Sequence, residues 1–239
     1  MGLPEIGLVA FDASDSIVIA RPRRGPKYFA GVSTRLEQLA TDYFLDDIPL
    51  QSEDVIIDVG ANIGEFSMAV LKRVNAQLIA CEPEMRELEV MKMNLIGTET
   101  IYVDKPLWIE DSYIEWYSKP GTADSSAIQP GGSSQVIVTE ATSLDNVASQ
   151  HGLAGVKLLK IEAEGAEPEV LMGAQRLLAE TAYVVVDCGP ERGPAAEYTF
   201  ESVGQLLGAQ GFVRTRVGFP RPTALFQNES LTYCLGDNR

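Results

Sequence analysis

Apolar β-branched runs alternate with stretches of helical period along most of the chain. The clearest instance is Asp54 to Ser67. Val55, Ile56, Ile57 and Val59 predict a buried strand, Gly60 and Gly64 a turn, and Glu65 to Arg73 a helix. Gln77 to Cys81 is the next strand, closed by Pro83, and Met85, Leu88, Met91 and Leu95 then recur at helical spacing until Gly97. Thr100 to Val103 is a third strand. Val156 to Ile161 reads as a fourth, followed by one helix from Pro168 with Val170, Leu171, Ala174, Leu177 and Leu178 on its core face. Tyr183 to Asp187 is another strand, and Phe200 to Gln210 a helix stopped by Gly211. Phe212–Val217, Ala224–Gln227 and Leu231–Leu235 close the chain as β-structure, the last two as a hairpin across Asn228-Glu229-Ser230. Strands alternating with helices predict an α/β fold: a parallel sheet covered on both faces, with an antiparallel edge.

The remaining segments read as additions to that sheet. Leu8–Phe11 and Ile17–Ala20 predict a hairpin around Asp12-Ala13-Ser14-Asp15, and Ser33 or Thr34 caps a helix running to about Phe44. Residues 1–50 are thus expected to be a small cap on a main domain of residues 51–239. Tyr113–Tyr117 and Gln135–Glu140 alternate as strands do, and the Gly-, Ser- and Pro-rich stretch between them is expected to be a lid or binding loop. Thr142-Ser143-Leu144-Asp145 is a capping-box-like helix start, with Asp145 as a cap, and the only histidine, His151, is placed at the end of that helix.

Composition narrows the partners. A net charge of -15 over 239 residues disfavours a nucleic-acid surface and an anionic membrane. No apolar run approaches a membrane span. Cys81, Cys188 and Cys234 are odd in number and widely spaced, which predicts free thiols in a reducing compartment. A cytoplasmic protein, monomeric or homodimeric, is expected. One dense basic cluster, Arg21 to Lys27, stands against the acidic background, either as a solvated loop or as an electropositive wall for an anionic substrate group.

The chemistry gathers at strand ends. A strand, a Gly-rich turn and a helix N-terminus form a nucleotide pocket, but three residues separate Gly60 from Gly64, and the G-x-G-x-x-G cradle for a pyrophosphate is missing. Asp58 before the turn suits the cationic amino group of an amino-acid moiety, and Glu82 can accept hydrogen bonds from two ribose hydroxyls. Amino acid, ribose and adenine together point to S-adenosylmethionine (AdoMet). Its expected contacts are Asp58, Gly60, Ala61, Asn62, Gly64, Ser67, Glu82 and Pro83, with Asp104 near the adenine amino group; no metal is assigned. A nicotinamide-dependent oxidoreductase on a similar sheet and a non-catalytic AdoMet-binding protein are the alternatives. Lys160, Glu162, Glu164 and Glu167 crowd the end of the fourth strand. Glu162 and Glu164 are the candidate bases, Lys160 holds an acid or the substrate or else snorkels to solvent, and Glu167 starts a helix.

Ile57-Asp58-Val59-Gly60-Ala61-Asn62-Ile63-Gly64, Glu82-Pro83, Asn94-Leu95, Thr142-Ser143-Leu144-Asp145 and Leu159 to Glu167 together resemble the FkbM-type methyltransferase family, over roughly residues 53 to 213. The resemblance implies the seven-stranded, Rossmann-like sheet of class I AdoMet-dependent enzymes. It also implies O-methylation of a hydroxyl on a small-molecule or glycan acceptor: a sugar, a glycan or a secondary metabolite. The family writes Lys-Ile-Asp-x-Glu-Gly, often with Val at x; here Glu162 replaces the Asp and Ala163 the Val.

Overall fold

The computed structural model describes residues 8–11, 16–19, 22–119, 124–132 and 134–231. The expected turn at Asp12 to Asp15, residues 120–123 of the Gly/Ser loop, and Cys234 with most of the run around it lie outside these. The chain begins with β1 (Leu8–Phe11) and β2 (Ser16–Ile19), an antiparallel pair, then a 3-10 segment (Pro22–Tyr28) and α1 (Val32–Asp42). The repeating unit follows as β3 (Val55–Val59), α2 (Glu65–Leu71), β4 (Gln77–Cys81), α3 (Met85–Asn94) and β5 (Thr100–Val103). A second hairpin, β6 (Ser112–Ser118) and β7 (Gln135–Ala141), interrupts it before α4 (Leu144–His151) and β8 (Val156–Ile161). The chain then continues through α5 (Glu167–Met172), α6 (Gln175–Ala179), β9 (Thr181–Asp187), α7 (Phe200–Ala209), β10 (Phe212–Val217) and β11 (Thr223–Asn228).

The main sheet has seven strands in the order β10-β11-β9-β8-β3-β4-β5. β9, β8, β3, β4 and β5 run parallel, and β11 is antiparallel to both of its neighbours. Successive residues of a strand face opposite sides, so Ile57, Leu159 and Val184 pack under α4 to α7. Ile56, Leu158 and Val185 pack under α1 and α2. Ile17, Ile19 and Val32 join that second cluster, so the N-terminal elements share a core with the sheet. The strand order reverses between β3 and β8, and at such a switch point the carboxyl ends of the strands leave a crevice.

Four expectations are corrected here. The closing hairpin joins β10 to β11 through Gly218 to Pro222, and residues 229–231 form a helical turn, so Asn228 to Ser230 is no β-turn. The long helix expected from Pro168 is two helices, because a Cβ at Gly173 would lie 2.1 Å from the Trp108 carbonyl oxygen and the chain bends there. Asp145 caps the second of these: its carboxylate accepts from the backbone N–H groups of Arg176 (3.0 Å) and Leu177 (2.8 Å), while Ser143 caps α4 through Asn146 N–H (3.1 Å). Helix α1 starts at Val32 after Gly31, which puts Ser33 and Thr34 inside its first turn.

Candidate active site

A cavity of about 330 Å³ opens at the carboxyl ends of β3, β4 and β8. The 3-10 segment and α1 form one wall, and Trp116 of β6 with Ser125 and Ala127 of the following loop border another. That loop was expected to lie over the ligand edge, and its residues Asp124, Ser125 and Ala127 border the cavity. Ser126 fastens it, its Oγ donating to the Glu164 carbonyl oxygen at 2.8 Å.

Gly60, Ala61, Asn62, Glu82, Pro83, Lys160, Glu162 and Glu164 border the cavity. Asp58, Gly64, Ser67 and Asp104 are not among its lining residues. Asp58 is fully buried behind the turn, where it accepts from Ser67 Oγ at 2.8 Å and faces Lys160 Nζ at 3.0 Å. The ammonium it meets is therefore that of Lys160. Gly60 has φ +70°, and a Cβ there would fall 1.9 Å from the Glu162 carbonyl oxygen. Its missing side chain is required by the strand next door, whereas the expectation was close approach of a ligand. Gly64, at φ +87°, lets α2 start against Met91 and Leu95. Asp104 is exposed, and its neighbour Lys105 reaches the cavity in its place.

Glu82 is fixed on both oxygens by backbone donors, Asn62 N–H at 2.9 Å and Glu84 N–H at 2.8 Å. Burial nevertheless pushes its carboxyl up to about 7. Beside it, Trp116 Nε1 donates to Glu84 Oε1 at 3.0 Å.

Lys160 does not snorkel. It is 1% exposed, its Nζ donates to the carbonyl oxygens of Val59 and Gly60 at 3.0 Å each, and it pairs with Glu162 at 3.3 Å. Burial works against its charge, but Asp58 and Glu162 outweigh that and raise its pKa. Glu162 also accepts from Tyr43 Oη at 2.7 Å and from Arg221, which pairs in turn with Asp187. Burial opposes ionisation of Glu162, yet Lys160 and Arg221 hold its carboxyl far below the usual range. Glu164 is the opposite case. Its carboxyl makes no hydrogen bond or ion pair among the described residues, and burial, then Glu162 and Asp124, push it up to about 9. Glu167 has the expected helix-start role: it accepts from Ala163 and Gly165 N–H groups at 2.9 and 3.0 Å from the first turn of α5. Sequence reasoning missed Tyr43 and Arg221. Neither stands in a local motif, and each reaches the site from a distant part of the chain.

The methyltransferase FkbM domain matches residues 58–214, about two thirds of the chain. The chain belongs to the FkbM methyltransferase family. With that membership the nicotinamide-dependent alternative falls. Its sheet is the seven-stranded one of class I AdoMet-dependent methyltransferases, as expected, and AdoMet is the cofactor of the FkbM family. Among curated relatives, the AMB antimetabolite synthetase AmbE of Pseudomonas aeruginosa PAO1 is 26% identical over 211 residues, 71% of this chain and 10% of AmbE. The chain therefore spans about a tenth of that relative's length. The 2-O-methyltransferase NoeI of Sinorhizobium fredii NGR234 is 20% identical over 81% of this chain and 87% of NoeI. Magnesium protoporphyrin IX methyltransferase (ChlM) from Synechocystis PCC 6803 with bound SAM aligns at TM-score 0.48 and 11% identity, covering 83% of this chain and 78% of that one.

The residues present fit the family's cofactor. Glu82 is a carboxylate held at the cavity edge with acceptor capacity left after its two backbone bonds, as a ribose diol requires. Among the described residues no group of side chains is suited to a metal ion, and no helix is long and apolar enough to cross a membrane.

Proposed function

We propose that this FkbM methyltransferase methylates a hydroxyl of a sugar, glycan or secondary metabolite, with Glu164 receiving the proton the hydroxyl loses. Bound AdoMet supplies an electrophilic methyl group on a sulfonium. In this reading Glu82 holds the ribose hydroxyls, the turn from Gly60 to Asn62 and Pro83 line the cofactor's bed, and Asp58, Gly64 and Ser67 stiffen that bed from behind. Asp104, exposed and outside the cavity lining, has no part in this reading.

The observation that carries the proposal is the contrast between the two carboxylates. Glu162 is neutralised by Lys160 and Arg221 and has little affinity left for a proton. Its role is to hold those cations and Tyr43 in place at the cavity wall. Glu164 faces the same cavity with a free carboxyl and a raised pKa, the property of a proton acceptor. A positive charge brought into the cavity lowers that pKa and prepares the ionised form. The likeness to NoeI, named a 2-O-methyltransferase, supports a hydroxyl as the acceptor.

The test is mass spectrometry of a cell extract incubated with the protein and isotope-labelled AdoMet. Label in an ether methyl group is expected. Label only in methylated amines, thiols or esters would overturn the assignment to a hydroxyl.

A further inference from the structure

The wall formed by the 3-10 segment and α1 carries more positive charge than it neutralises. Arg24, Lys27 and Arg35 border the cavity there; the carboxylate set against the two arginines is Glu65, the first residue of α2, and Lys27 also feels Glu162. Glu65 Oε1 accepts from Arg35 Nε at 2.9 Å and from Tyr28 Oη at 2.7 Å. Arg24 stands 3.6 Å from its Oε2, and the buried Arg24 Nε has no hydrogen-bond acceptor among the described residues. Lys27 makes no ion pair or hydrogen bond among the described residues. Of the carboxylates that act on Lys27, Glu65 is engaged by Arg35 and Tyr28 and Glu162 by Lys160 and Arg221, so neither is committed to Lys27.

We propose that this wall receives an oxyanion, a carboxylate or a phosphate, carried by the methyl acceptor, with Lys27 as its first ligand and Arg24 and Arg35 behind it. This rests on the hydroxyl-methylating reading above and narrows its substrate class to hydroxyl compounds that also bear an anionic group. Lys27 is the free donor. Glu65 holds Arg35 in position, and the unmet Arg24 Nε marks where a further acceptor atom is wanted. Burial and the two arginines press the Lys27 ammonium below its ordinary pKa, a stress that an anion relieves.

The competing source of such an oxyanion is the carboxylate of AdoMet itself, so the experiment separates the two. The full chain is saturated with S-adenosylhomocysteine and titrated by calorimetry with inorganic phosphate and, separately, with lactate, against a chloride control. Binding of at least one anion is expected. It should weaken about tenfold or more in Lys27→Ala and survive in Lys27→Arg, as loss of a charged hydrogen bond implies. In parallel, NMR of the lysine side chains should show the Lys27 pKa rising when the anion binds, which a merely structural lysine would not do. Failure of both anions to bind the saturated protein, or binding only in competition with S-adenosylhomocysteine, would overturn the proposal and return the wall to the cofactor. Because the readout is binding, a protein that methylated something other than a hydroxyl would still display the site.

Discussion

Glu162 and Glu164 lie two residues apart on the rim of one cavity, and their surroundings drive their proton affinities in opposite directions. Glu164→Gln should lower kcat by about 10²–10⁴-fold, the usual contribution of a positioned base. In the wild type kcat should rise with pH as Glu164 loses its proton, and the variant should lose that rise; an unchanged pH profile would mean that another group takes the proton. Glu162→Gln removes the partner of Lys160 and Arg221, so it should cost about 1–3 kcal/mol in chemical denaturation as well as activity. Glu82 gives a third check at this scale. Its carboxyl titrates at about 7 and must be ionised to accept from two hydroxyls, so AdoMet affinity should fall as pH drops below that value. Calorimetry across pH 6 to 8 should show this dependence in the wild type and a flat response in Glu82→Gln. The motifs announced these carboxylates as candidates but not their division of labour. That division comes from Lys160, buried against Glu162, together with Arg221 and Tyr43, which lie 59 and 119 residues away from Glu162 in the chain.

Single elements are held by contacts that their own sequence does not contain. The turn after β3 needs glycine at position 60 because the Glu162 backbone sits where a side chain would go. Gly60→Ala should therefore lower the melting temperature and AdoMet affinity together; loss of binding at full stability would restore a purely ligand-facing reason for the glycine. Helix α6 owes its start to Asp145 on α4, and Asp145→Ala should cost about 1 kcal/mol of stability by denaturant titration, as loss of a cap does. The strands β3, β4, β5, β8 and β9 were legible because each is a short apolar run bounded by turn residues. The break between α5 and α6 was not, since its cause is the Trp108 carbonyl, 65 residues upstream. The place of β11 was hidden for a related reason. Its apolar run shows that it is buried, but not that it inserts between β9 and β10.

For the whole molecule, the buried acids set how stability responds to pH. Burial raises the carboxyls of Glu82 and Glu167 to about 7 and, with neighbouring charge, that of Glu164 to about 9. The folded protein thus holds protons that the unfolded chain releases near its ordinary carboxylate pKa. Stability must fall as pH rises from about 5 towards 9, where those protons are lost. The opposite contributions, from Glu65 and Glu162 held low by their cations, disappear only in acid and leave this window to the raised groups. Thermal unfolding should therefore give a higher melting temperature at pH 5.5 than at pH 8.5, with a smaller difference in Glu164→Gln. An equal or reversed difference would mean that these carboxyls are not held as the structure places them.

The N-terminal elements share an apolar cluster with Leu158, Val185 and Leu225, and Thr223 Oγ1 donates to the Asp42 carbonyl oxygen at 2.8 Å. A ribosome adds roughly 5–20 residues per second, so Ile17 and Leu36 wait on the order of 10–40 s before Leu225 has been made. Throughout that interval these elements have no complete surface to settle on, and their apolar side stays open to a chaperone.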